Sequence, residues 1–116
     1  MVIKRGEIWW ADVAEPRHSE AGFRRPVLVV QDDRLNGSRL NTVIVLPLSS
    51  NLSRGHLATQ VILRSGDTGL AKDSVVIANQ ILLLDRAEFI ERVGALNADA
   101  MELVELALMT ALGLLP

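Results

Sequence analysis

The chain has 116 residues, 49% of them hydrophobic and 22% charged, which suits one folded domain over residues 1–116 and excludes a disordered chain. Cysteine is absent, and His18 and His56 are the only histidines, so no metal or other cofactor is expected. The net charge is −2, but residues 1–64 carry a balance of +3 and residues 65–116 one of −5, so positive charge gathers in the first half.

In chain order, Glu7 to Ala14 mixes aromatic, β-branched and small residues, as a half-buried strand does. Within it Trp9 and Trp10 must point to opposite faces, one into the core and the other toward surface or interface. Residues 15–24 are too polar to bury and too long for a tight hairpin, which marks a functional or disordered loop. The loop ends at Arg24–Arg25–Pro26, where the proline holds Arg25 extended. Val27 to Val30 is an unbroken apolar run, predicted to be buried on both faces. Asp32 to Arg39 is polar, with a turn at Asn36–Gly37 and one helical turn before it.

Thr42 to Leu48 reads as a central strand with Pro47 at its end or on an edge. A second polar loop, Ser50 to His56, precedes strands at Ala58–Arg64, Ser74–Ala78 and Ile81–Leu84, with a turn-rich connection at Ser65–Asp73. Phe89 to Leu96 is read as a short helical turn followed by a short strand. From Asp99 the period changes to that of a helix, with Asp99 and Glu102 as a capping box and a stripe of Met101, Val104, Leu108, Ala111 and Leu115. Leu103, Leu106, Leu112 and Leu114 make this helix apolar around most of its circumference, so it needs covering on more than one side. Many short strands with one terminal helix predict a mainly antiparallel sheet, and closure into a barrel is the usual way to remove its edges.

Three groups of residues carry a resemblance. Arg5–Gly6–Glu7–Ile8–Trp9–Trp10–Ala11–Asp12, then Ser19–Glu20 with Gly22, then Arg25–Pro26–Val27–Leu28–Val29–Val30–Gln31 form the first. The second is Val43 to Leu48 running into Ser49–Ser50; the third is Gly69–Leu70, Asp73–Ser74–Val75–Val76 and Asn79–Gln80–Ile81 before the closing helix. In order and spacing the chain resembles the MazF/PemK family of toxin endoribonucleases. The resemblance implies an SH3-like β-barrel with a C-terminal helix, shared with the gyrase poison CcdB. It also implies a homodimer and metal-independent, sequence-specific cleavage of single-stranded RNA to a 2′,3′-cyclic phosphate and a 5′-hydroxyl. An antitoxin protein would block the RNA groove.

By this resemblance Arg25 and Ser49 are the catalytic candidates. A planar guanidinium can hold two phosphate oxygens as negative charge gathers on them, whereas its pKa above ~12 makes it a poor base. Taken alone, Arg25 would read as a surface arginine paired with an acid such as Glu20. Ser49 can donate to a phosphate oxygen or orient the 2′-hydroxyl; without the resemblance it would read as a serine satisfying a turn backbone. Ser50 is its neighbour and rival. A nucleophilic serine is not expected, because no histidine base stands in a recognisable context.

Ser19, Glu20 and Arg24 are expected to contact substrate from the long loop, with Glu20 accepting from a base or restraining an arginine. Counting back from Arg25 puts Ser19, and not His18, where some relatives carry histidine, so His18 is a minor candidate base, and His56 is read as solvated or on the RNA path. Asn79 and Gln80 lie between apolar runs, where amides are costly unless paired. They are read either as bonding strand backbone or as recognising bases and ribose. Neither tryptophan is a first choice for base stacking. A non-enzymatic poison of gyrase with the same barrel is the alternative, disfavoured because the end Leu112–Gly113–Leu114–Leu115–Pro116 offers no aromatic. A barrel retained only as a binding module is a third reading. The start Met-Val-Ile-Lys-Arg-Gly does not read as a signal peptide and no stretch approaches the ~20 apolar residues of a membrane span, so the cytoplasm is the expected compartment.

Overall fold

A computed structural model describes residues 1–13, 24–54 and 57–115 of the chain. Seven strands run β1 (Glu7–Asp12), β2 (Arg24–Val29), β3 (Thr42–Ser49), β4 (Gln60–Leu63), β5 (Ser74–Ile77), β6 (Leu82–Asp85) and β7 (Phe89–Ala95). Three helices, α1 (Asp33–Asn36), α2 (Ser65–Thr68) and α3 (Ala98–Ala111), complete the fold, the first two being single turns. All pairings are antiparallel, in the order β4-β5-β3-β2-β1-β7, and β6 pairs with β3 off this path.

β3 organises the sheet because its eight residues serve three neighbours. One side pairs with β2; the other pairs with β6 along Thr42–Val45 and with β5 at Leu48–Ser49. Peptide groups along a strand face alternate sides. The Ile44 carbonyl accepts from Val30 and Gln31, on the β2 side, so Pro47 directs its missing N–H the other way. There it falls in the gap between β6 and β5, where no ladder bond is lost. A proline expected at the strand's end or on an edge thus sits near the end of a central strand, buried, at the point where its neighbour changes.

Alternation divides the core in two. Ile8, Leu28, Leu46 and Leu48 pack with Leu63, Val76 and the inner face of α3, namely Ala100, Met101, Val104 and Ala107. Trp9, Ala11, Val27, Val29, Val43 and Val45 pack on the opposite face with Leu84 and Phe89. Covered on both sides, Val27, Leu28 and Val29 are fully buried, as the apolar run predicts, whereas Val30 at its end is only partly buried. The Trp9 and Phe89 rings meet edge to face at 5.6 Å, an arrangement worth about 0.5–1.5 kcal/mol beyond the area it buries.

The sheet corrects the expected closed barrel: β4 and β7 form its two ends and are not bonded to each other among the described residues. Closure is replaced by covering at both ends. α3 lies against β4 and α2 against β7, where Glu91 and Arg92 are also exposed. Two local expectations also shift. The helical turn of the Phe89–Leu96 segment lies ahead of it at Arg86–Glu88, capped by Asp85, which frees all of Phe89–Ala95 to pair with β1. The cap of α3 is Asn97, whose side-chain oxygen accepts from the Ala100 amide at 2.8 Å; Asp99 instead lies in the first turn, where its charge complements the helix dipole. Arg5 ties this helix to the sheet, donating to the Val30 carbonyl at 3.1 Å and to Glu105 at 2.8 Å.

Candidate functional site: a cationic pocket at the strand ends

The β2–β3 ladder pairs Val27 with Pro47, Leu28 with Leu46 and Val29 with Val45. Continued two residues beyond Val27 and Pro47, the same register sets Arg25 abreast of Ser49. The ladder stops short of that pair, and where it stops a pocket opens. Its volume is about 350 Å³, at the small end of the range for ligand sites. It takes residues of both strand faces, because it lies across the strand ends: Trp10 from β1, Arg24, Arg25 and Pro26 from β2, and Leu48, Ser49 and Ser50 from β3 and beyond. The segment entering β5 closes the far side with Leu70, Ala71, Lys72 and Ser74.

Charge and polarity are sorted within this pocket. Three cations, Arg24, Arg25 and Lys72, line it together with three serines, and among the described residues no carboxylate does. Arg24 is exposed and lies 3.6 Å from Asp12, its cross-strand partner, a solvent-screened contact worth little. Arg25 is partly buried. The Ser49 hydroxyl oxygen accepts from the Asn51 amide at 3.1 Å. Ser49 therefore does satisfy a turn backbone, and that bond uses its oxygen while leaving its proton to donate.

Four of the expected site residues, Arg24, Arg25, Ser49 and Ser50, therefore share one pocket. Asn79 and Gln80 stand outside it, in the turn between β5 and β6. Both are exposed, so the expected cost of burying amides does not arise there; the Asn79 side-chain oxygen accepts from the Thr59 hydroxyl at 3.4 Å. Ser19, Glu20, His18 and His56 lie outside the described residues.

Trp10 and Lys72 are the pocket residues that sequence reasoning passes over. The signal for Trp10 is available in the strand period, since it shares a face with Asp12 and with Pro26 opposite. β7 carries an extra residue on each side of the pairs that face Trp9 and Trp10, bulges of the kind that re-aim a side chain. Trp10 is 37% exposed, an unusual setting for so large an apolar surface. Lys72 can be placed only by knowing that β5 returns beside β3.

Comparison with known proteins gives a consistent result. Residues 4–112 match the family of PemK-like, MazF-like toxins of type II toxin–antitoxin systems. The chain is 41% identical over 114 residues to endoribonuclease MazF6 of Mycobacterium tuberculosis, covering 98% of this chain and 100% of that one. Endoribonuclease MazF2 of Mycobacterium bovis is similar to the same degree. Among solved structures, a MazE–MazF crystal structure from Deinococcus radiodurans superposes with a TM-score of 0.79 at 26% identity, covering 99% of both chains. A mycobacterial endoribonuclease in complex with its cognate antitoxin shares the fold, with a TM-score of 0.81 at 24% identity over 98% of both chains.

Proposed function

This chain belongs to the PemK-like, MazF-like toxins of type II toxin–antitoxin systems, and we propose that its strand-end pocket is where single-stranded RNA is cut. The protein is an endoribonuclease toxin. The observation that carries the site is the juxtaposition of Arg25 and Ser49 in a cavity lined by cations and hydroxyls.

In the proposed reaction the ribose 2′-oxygen attacks the adjacent phosphorus. The bond from 2′-oxygen to phosphorus forms as the bond from phosphorus to the 5′-oxygen breaks, giving a 2′,3′-cyclic phosphate and a 5′-hydroxyl. The 2′-hydroxyl proton passes to solvent or a loop base, and the departing 5′-oxygen takes one up. Arg25 holds the phosphate oxygens on which charge accumulates, a role that its fixed charge and forked donors suit. Ser49 donates its remaining proton to the same oxygens or orients the 2′-hydroxyl. Ser50 and Arg24 hold the strand beside them, and Ser19 and Glu20 would act from the segment between β1 and β2. Asn79 and Gln80, exposed at the β5–β6 turn, would reach RNA only beyond the pocket.

Two partners follow from the family: RNA, met in the cytoplasm, and a cognate antitoxin that silences the toxin by covering the same groove. No helix among the described residues is long and apolar enough to cross a membrane. The alternative of a gyrase poison is not favoured: the curated relatives are endoribonucleases.

The test is cleavage of a mixed RNA pool in excess chelator, with cut ends mapped. Wild-type protein should cut at a defined sequence, and Arg25→Ala should lose about 10²–10³-fold in rate, the cost of removing one transition-state donor. Arg25→Ala with full activity would remove the site assignment.

A further inference from the structure

We propose that Lys72 is a register-setting contact to a second RNA phosphate, the one next to the phosphate that is cut. The proposal rests on the reading of the pocket as the cleavage site and adds a subsite to it. Lys72 lines the same pocket as Arg25 and leads into β5, which flanks β3 on the side away from β2. Across the β3–β5 ladder Ser49 pairs with Val75, three residues after Lys72. Three residues of chain span at most ~10 Å, so Lys72 stays close to the Ser49 end of the pocket. A phosphate held by Arg25 and Ser49 thus leaves its neighbour within reach of the lysine. Trp10, Pro26, Leu48 and Leu70 supply apolar wall in the same pocket for an unstacked base.

The lysine stands on a rigid mount. Leu70 is buried in the main core, and its amide donates to the Thr68 hydroxyl at 3.0 Å. The Asp73 carboxylate, the acid nearest in sequence, accepts from the Ser65 amide at 2.8 Å. Ser74 donates its hydroxyl to the Lys72 carbonyl at 3.2 Å. Behind the loop, Gly69 at φ +84 sits so close to β7 that a Cβ would lie 2.7 Å from the Val93 carbonyl oxygen. A Cβ on Gly94 would likewise collide with the Thr68 carbonyl. The backbone that carries Lys72 is therefore held before it by Gly69 packed on β7 and after it by the bonds of Asp73 and Ser74, while the side chain is exposed and makes no ion pair among the described residues. A flexible ammonium suits a spectator phosphate, needing only a point charge, whereas the planar arginine suits the reacting one.

The experiment measures binding of a labelled random-sequence single-stranded RNA 12-mer by fluorescence anisotropy across a salt series. Arg25→Ala serves as the slow-cleaving parent, compared with the same protein carrying Lys72→Ala or Lys72→Arg. One phosphate contact contributes ~0.7 to the slope of log affinity against log salt for single strands. Lys72→Ala should flatten the slope by about that amount, and Lys72→Arg should restore it. In steady-state cleavage on the otherwise wild-type protein, Lys72→Ala should raise KM more than it lowers kcat. A methylphosphonate at the linkage next to the cut should erase the difference between the wild type and Lys72→Ala in that assay. An unchanged salt slope in protein of unchanged melting temperature would overturn the proposal while leaving the cleavage reading intact. A fall in kcat alone would also overturn it, because the lysine would then act on the reacting phosphate. Wild-type protein that leaves RNA uncut would instead remove the cleavage reading on which the subsite rests.

Discussion

Trp10 occupies an expensive position. An exposed indole forgoes the free energy of burial, while its neighbour Trp9 collects it in the core. Its place on the wall of a pocket lined by cations and hydroxyls gives that exposure a use, since a nucleobase can cover the ring and stack on it. Aromatic stacking on single strands is worth about 1–3 kcal/mol per base. Trp10→Ala should therefore weaken RNA binding by about 5- to 150-fold at constant salt, with the salt slope unchanged because no phosphate contact is lost. Trp10→Phe should recover part of the loss. Binding by Trp10→Ala equal to wild type would mean that the indole faces something other than RNA.

At the scale of elements, the turn that follows β2 is an electrostatic device. Asp32 caps α1, and its carboxylate accepts from both the side chain and the backbone amide of Arg34. The side-chain bond to Arg34 is the larger cause holding the Asp32 pKa down, from 3.8 to about 2. Asp33 is lowered as well, chiefly by the Arg5 backbone amide and then by the Asn36 side chain. A carboxyl whose folded pKa is depressed contributes stability that is complete above its unfolded value and is lost as pH falls through the folded one. The window here runs from about pH 4 down to about 2. Asp32→Asn should thus melt lower than wild type at pH 5, and the two should converge near pH 2. A gap of the same size at both pH values would show that the carboxylate contributes through its shape and not its charge.

The same elements show what a linear reading can reach. The β2 run and the α1 turn are legible because their causes are local: an apolar stretch buried on both faces, and Asn36–Gly37 closing a polar segment. The Asn97 cap escapes such a reading because Asp99 with Glu102 spells an equally good start two residues later, and only packing of Ala100 and Met101 decides between them. Arg25 and Ser49 are found through resemblance, and the register then gives a physical reason for their meeting. Lys72 is out of reach because it is brought to the site by β5 pairing with β3 across the intervening β4, which no local pattern encodes.

The whole molecule leaves apolar surface that one chain does not use. α3 buries Ala100, Met101, Val104 and Ala107 against the sheet, yet Leu103 is 55% and Leu106 43% exposed one turn apart on its outer side. Leu112, Leu114 and Leu115 extend the exposed apolar surface past the end of the helix. Helical residues three apart share a face, so Leu103 and Leu106 form a patch and not scattered singles. Two-fold symmetry offers the simplest cover, because each copy then presents the same surface to the other. A dimer joined there would also compensate for the open sheet: α3 already covers β4, and a partner helix would brace it from behind. We expect sedimentation to give a dimer of the 12.7 kDa chain at micromolar concentration. Leu103→Glu with Leu106→Glu should shift it to monomer, since two buried charges facing their own copies cannot be solvated. Retention of the dimer in a folded double variant would place the interface elsewhere on the chain, and a wild-type monomer would remove the dimer altogether.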